Sequence, residues 1–366
     1  MSFQVMHAAV TNSAADVPRG DICAQRGDRL FSLSVLPDAG GVKGEFCIVV
    51  SITHAIAGGF TCSRIAAMLS SKNPIVALRA DRKHGVTDAF AAVTGPMYAK
   101  VLLATRTRLA MLRAKMLTRP HKAESRYIDM ATVNKIKANA KALGQVPFVS
   151  TSDIITSTFA NATNARLTSM AFDLRGRIPG YDIDDAGNYI GVVFVGDQES
   201  ATPSHIRRVI RCDPKNMHTS DRQAVPPKRE WLRMNRSNVT YAVFDHFREL
   251  ELDGMTQHAF LPHLDVSSLT SNVCIVYRAK RDTLAVATFT RHSKGALKDV
   301  MDGMPVGGHV LAPPPPSHAS RKWIKRARLY GTRWTWMYRW IKRFAFEARM
   351  FVCQAQQTRP PTYYIT

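Results

Sequence analysis

The first candidate for chemistry in this chain of 366 residues is a histidine that ends a strand-like run. Residues 47–53 read Cys-Ile-Val-Val-Ser-Ile-Thr and stop at His54, followed by Ala55-Ile56-Ala57 and the pair Gly58-Gly59. Residues such as Val, Ile and Thr suit a pleated, buried strand. The glycines permit a sharp turn and close approach of another chain segment. Thr61 is placed to cap a helix read over residues 62–70. The pattern sets an imidazole on a rigid strand end, at the lip of an interior cleft, where a group titrating near neutral pH can move a proton. The alternative for a lone histidine in such a place is an ordinary hydrogen-bonded structural residue. Asp182, Asp184 and Asp185 cluster in a turn-rich loop, but the remaining ligands of a calcium loop are missing and no metal is expected. The cysteines, Cys23, Cys47, Cys62, Cys212, Cys274 and Cys353, show no C-x-x-C or zinc-like spacing. Several lie in apolar runs and read as small buried hydrophobes in a reducing compartment.

Four stretches, taken in order over about residues 29–310, resemble the CoA-dependent acyltransferase superfamily that includes chloramphenicol acetyltransferase and the BAHD and trichothecene acyltransferases. His54-Ala55-Ile56-Ala57-Gly58-Gly59-Phe60 resembles its His-x-x-x-Asp-Gly segment. Arg29 to Val35 with Gly40-Gly41 resembles the hairpin that leads to that histidine. Ser150-Thr151-Ser152-Asp153 resembles its S-T-x-D helix start. Phe172-Asp173-Leu174-Arg175-Gly176-Arg177-Ile178-Pro179, then Gly187-Asn188, resembles its D-x-R-x-R-x-P…G-N segment. The departures are specific. Gly58 stands where the family has an aspartate that pairs with an arginine matching Arg175. Asp265 to Leu269 stands where the family has D-F-G-W-G. The family's histidine also lies deeper in its chains, so the resemblance implies an incomplete N-terminal lobe and an open sheet edge.

The resemblance implies an α+β fold: a chloramphenicol-acetyltransferase-like two-lobed sandwich. It implies acyl transfer from acyl-CoA, as co-substrate, to a small-molecule alcohol or amine, with no permanently bound cofactor. His54 would be the general base. Thr256, just upstream of Leu261-Pro262, would face the developing oxyanion, although an ordinary loop threonine fits that position too. Gly58, Gly59, Asp173 and Arg175 would support the site. An Arg175 without the family's aspartate must find Asp173, a carbonyl or water, because an unpaired buried guanidinium is costly. No cofactor-binding residue is singled out.

The elements that must position these residues divide the chain into five parts. Residues 1–26 read as a flexible lead-in and 27–118 as a partial N-terminal lobe with a helix over 94–117. Residues 119–148 read as a crossover with a helix near 129–143, and 149–311 as the C-terminal lobe. In that lobe Asp153 reads as the N-cap of a helix over 154–165, and strands are expected near 171–175, 189–195, 272–278 and 283–289. Residues 312–366 read as a proline-rich linker and basic tail. Fifty basic against 28 acidic residues give a net charge of +22, which favours anionic partners such as the CoA phosphates. In the tail Trp323, Ala327, Tyr330, Trp334, Met337, Ile341, Phe344, Ala348 and Phe351 recur at helical spacing beside Lys322, Lys325, Arg326, Arg333, Arg339 and Arg343. Such a helix can dock on the protein or adsorb through 321–351 to an anionic membrane surface. No nucleic-acid-binding motif accompanies the charge, so nucleic acid is not the expected partner. With no signal-peptide pattern and no apolar run of membrane-spanning length, a cytoplasmic monomer is expected, with peripheral membrane contact open. The second functional reading is a catalytically degenerate relative that acts as a binding or membrane-surface protein.

Overall fold

The computed structural model describes residues 3–12, 17, 26–37, 46–89 apart from 82 and 87, 109, 112, 121–212, 217–219, 237–243, 250–264 apart from 256, 271–291 and 297–311. Thr256, Asp265 to Leu269, most of the expected helix over 94–117 and the whole of the linker and tail lie outside them. The first helix, α1 (Phe3–Asn12), precedes strands β1 (Phe31–Pro37) and β2 (Phe46–Ile52), which pair antiparallel, and helix α2 (Gly59–Ala67). Next come β3 (His121–Ile128), α3 (Met130–Ala142), α4 (Thr151–Ala162), β4 (Leu167–Asp173), β5 (Ile190–Gly196) and α5 (Pro203–Val209). The chain continues through β6 (Ser237–Ala242), β7 (Asn272–Lys280), β8 (Thr283–Arg291), α6 (Leu297–Asp302) and β9 (Val306–His309).

A seven-stranded mixed sheet in the order β9-β3-β8-β7-β6-β4-β5 carries most of the core. β6 lies parallel to both β4 and β7, and every other neighbouring pair is antiparallel. Mixed sheet plus helices is the α+β class that the sequence implies. Both faces are covered. Ile154, Ile155 and Phe159 of α4 pack on Cys274, Val276 and Val286, joined by Met301. On the other face Phe3 of α1 joins Val273, Ile275, Tyr277, Ala287 and Phe289. Covered on both sides, β7 and β8 read as nearly continuous apolar runs. Burial pushes the thiols of Cys47, Cys62 and Cys274 upward, in keeping with cysteine used as a small hydrophobe.

Three local expectations change. Residues 1–26 are not a flexible lead-in throughout: α1 buries Phe3, His7 and Val10, and the His7 imidazole bonds the Leu264 carbonyl at 2.9 Å. Its buried positions, spaced by four and three, form one helical stripe between sheet and ribbon. The N-cap of α4 is Ser150. Asp153 closes a capping box by bonding the Ser150 N–H at 2.7 Å while the Ser150 hydroxyl accepts from the Asp153 N–H. Asp153 also holds Arg207 in a buried ion pair. Finally, α2 starts at Gly59, so Thr61 lies inside its first turn instead of capping it.

The β1–β2 ribbon is built differently. Met6 and Val10 of α1 meet Leu36, Cys47 and Val49 on its inner face. Its serines also face inward, Ser32 being buried, while Phe31, Leu33 and Val35 are 43%, 47% and 59% exposed.

Candidate active site

β2 ends at Ile52, and the chain turns at once. The Thr53 N–H bonds the Leu30 carbonyl at 2.9 Å, and the Thr53 carbonyl accepts from the N–H groups of Ile56 and Ala57 at 3.1 and 3.3 Å. Thr53, Ala57 and Gly58 are buried, whereas His54, Ala55 and Ile56 are exposed. The imidazole therefore faces outward from the strand end and does not sit inside a closed channel. Its Nδ1 lies 2.8 Å from the Ala57 carbonyl oxygen. A carbonyl only accepts, so in the neutral ring Nδ1 carries the proton and Nε2 keeps its lone pair. An imidazole in this tautomer can take a proton at Nε2.

The loop between β4 and β5 holds the turn. The Gly187 carbonyl accepts three hydrogen bonds, from the Gly58 N–H at 2.9 Å, the Thr61 hydroxyl at 3.0 Å and Arg175 Nη2 at 2.7 Å. The Gly187 N–H donates to the Thr61 oxygen at 3.1 Å. Position 187 requires glycine: its φ is +148° and a Cβ there would stand 2.7 Å from the Tyr189 ring.

Arg175 is 6% exposed, and a guanidinium has five N–H donors to satisfy. Nη1 reaches both carboxylate oxygens of Asp173, at 3.0 and 2.9 Å. Nε donates to the Asp185 carbonyl at 2.8 Å, and Nη2 reaches the Gly187 carbonyl and the Thr61 oxygen. The rings of Phe60 and Tyr189 flank it, with centroids 4.6 and 4.9 Å from Cζ. Each of the three guanidinium nitrogens has a partner, so a glycine at position 58 leaves none of them stranded. Asp173 and the carbonyls are the partners the sequence requires; Thr61, 114 residues away in the chain, is a further partner that no local pattern marks. Gly58 has φ −86°, an ordinary value, and its role is spatial: a Cβ there would stand 3.1 Å from Asn188 Oδ1.

The acidic loop is occupied by the protein's own cations. Asp182 bonds Arg79 at 2.6 Å, Asp184 bonds Arg64 at 3.3 Å, and the buried Asp185 carboxylate meets Lys83 at 2.5 Å and Arg79 at 3.2 Å. Burial raises the Asp185 pKa, but the Lys83 hydrogen bond, the Asp182 N–H and the nearby charges outweigh it and hold the carboxyl below the usual range. Among the described residues no group of His, Cys, Asp and Glu side chains is arranged to hold a metal ion. No helix among them is long and apolar enough to cross a membrane. Gly59 follows Gly58 in the turn and opens α2.

No family model and no curated protein matches the chain. Solved structures similar to it include vinorine synthase, at 12% identity over 78% of this chain and 68% of that one, with a TM-score of 0.46. PapA2 acyl transferase is 13% identical over 75% of this chain and 66% of that one, TM-score 0.39. The first condensation domain of the CDA synthetase is 11% identical over 77% and 69%, TM-score 0.39.

Proposed function

We propose that the chain transfers an acyl group from acyl-CoA to the hydroxyl or amine of a small molecule, with His54 as general base. One observation carries the proposal: the Nδ1 contact with Ala57 leaves Nε2 bare on an exposed residue at the end of β2. An acceptor O–H or N–H bonds Nε2. As its heavy atom attacks the thioester carbonyl, the proton passes to Nε2. The tetrahedral intermediate collapses by breaking the C–S bond, and the imidazolium returns the proton to the thiolate. Thr256 is proposed as the donor to the oxyanion, which would be worth about 10²-fold or more in rate. The excess positive charge attracts the phosphates of CoA, and holding donor and acceptor together supplies much of the remaining rate. Because the ring is exposed, water competes for the same nitrogen, and hydrolysis of the thioester accompanies transfer.

The full chain, given acyl-CoA and a panel of alcohols and amines, is expected to release free CoA and form an acylated product. His54→Ala is expected to lower the rate at least about 100-fold. Release at an unchanged rate in the variant removes His54 from the mechanism.

A second reading, a degenerate relative that binds a membrane surface, draws on the glycine at position 58 and on the exposed row Phe31, Leu33 and Val35. It predicts that the full chain sediments with phosphatidylserine vesicles yet releases no CoA.

A further inference from the structure

The Ala57 carbonyl and the Gly58 N–H are the two ends of one planar peptide unit. One end receives the His54 Nδ1–H at 2.8 Å and the other gives its proton to the Gly187 carbonyl at 2.9 Å. That carbonyl is fixed in turn by Thr61 and Arg175. The orientation of the catalytic ring is thus tied, through a single rigid peptide, to a residue on the first turn of α2 and to a loop more than a hundred residues downstream. Thr61 is the keystone of this arrangement. Its hydroxyl donates to the Gly187 carbonyl and accepts from the Gly187 N–H and from Arg175, so one side chain meets both polar groups of the same glycine. It is 2% exposed, so water is not at hand to replace it.

We infer that Thr61 is a positioning residue: through Gly187 and the Ala57–Gly58 peptide it holds His54 in the tautomer and orientation that present Nε2 to the acceptor. The inference deepens the acyl-transfer reading and rests on it for its kinetic consequence, but the hydrogen-bonded chain has its own readout. Without the Thr61 hydroxyl, Gly187 loses one donor and one acceptor at once. Arg175 then holds that carbonyl without its second side-chain partner, and as the loop shifts the Gly58 N–H follows and the Ala57 carbonyl turns away from Nδ1. The substrate is not touched, so the loss belongs in kcat and leaves KM near its original value. Serine supplies the same hydroxyl from the same Oγ position, whereas valine keeps the shape and removes the oxygen.

The test uses the full chain as wild type, Thr61→Ser and Thr61→Val, labelled with ¹⁵N at histidine. In Thr61→Val the His54 ring is expected to lose the Nδ1–H signal of the carbonyl-bonded tautomer, and the Gly58 amide to exchange with solvent faster. Thiol release from acyl-CoA is expected to fall about tenfold to a hundredfold in kcat. Thr61→Ser is expected to restore all three. If Thr61→Val does not fold, Thr61→Ala, which leaves the space open, carries the same comparison. A His54 tautomer that is unchanged in a folded valine or alanine variant overturns the inference, as does a serine variant that fares no better than valine. If the wild type releases no thiol, the acyl-transfer reading fails while the ring and amide signals still decide the role of Thr61.

Discussion

The seven-stranded sheet and the two-stranded ribbon solve the same problem unequally. In the sheet, both faces are covered, and the middle positions of β7 and β8 are buried one after another, with the charged residues kept to the strand ends. In the ribbon only the inner face is packed, and the residues turned inward include serines, while phenylalanine, leucine and valine point out. A lone two-stranded ribbon is marginally stable by itself, yet this one carries the candidate base. What steadies the histidine is therefore not the ribbon's own packing. It is the loop between β4 and β5, rooted in the large sheet, which reaches across to the turn through Gly187 and Arg175. The stable region positions the candidate base carried by the weaker one.

The sharpest break of this contrast is a truncation in the sheet. Phe289→Ala removes a fully buried ring from the sheet and is expected to cost about 3–5 kcal/mol, measured by urea denaturation of the full chain. A cost below about 1 kcal/mol would mean that the sheet is not the stable partner.

Next in size is the fastening that holds the loop. Asp185→Asn removes the carboxylate shared by Lys83 and Arg79 and is expected to cost about 2 kcal/mol near neutral pH. The folded-state pKa of Asp185 is depressed. Its stabilisation is therefore complete above the ordinary carboxylate pKa and is lost as pH falls through the lower folded value. Wild type and variant should converge in stability at acid pH, and a gap that widens there would reverse the sign of the argument.

Smaller still is the effect of placing a carboxylate at position 58. In Gly58→Asp the new side chain meets the exposed Asn188 side chain first, and each nitrogen of Arg175 already has a partner. The rate of thiol release is expected to stay within a factor of about three, under 1 kcal/mol. A gain of tenfold or more would show that Asp173, Thr61 and the carbonyls are a poor substitute. Smallest of all, Leu33→Ser on the ribbon's exposed row should shift stability by no more than about 0.5 kcal/mol. A cost near that of Phe289→Ala would mean that this row is covered in the working protein.

Much of the site is legible in the sequence because it is local. A β-branched run that stops at a histidine and two glycines already describes a strand, a turn and an imidazole. The pair Asp173 and Arg175 is two residues apart and closes on itself. Thr61 is not legible in this way. It reads as a helix cap, and only the fold brings it to Gly187, 126 residues later. The same limit applies to α1: among the described residues its buried positions are Phe3, His7 and Val10, and nothing local shows that a sheet and a ribbon will close on its two sides. Asp153 reads as the cap and is instead the other half of the capping box. Serine and aspartate both cap helices, and the two share the work in a box whose geometry depends on where the first turn begins.

The central claim is the protonation pattern of one ring, and it can be read without any substrate. In the ¹⁵N-histidine-labelled wild-type chain, held at a pH where the ring is neutral, the His54 nitrogens should show Nδ1 protonated and Nε2 bare. A neutral ring with the proton on Nε2 would point its donor at the acceptor and contradict the general-base account outright.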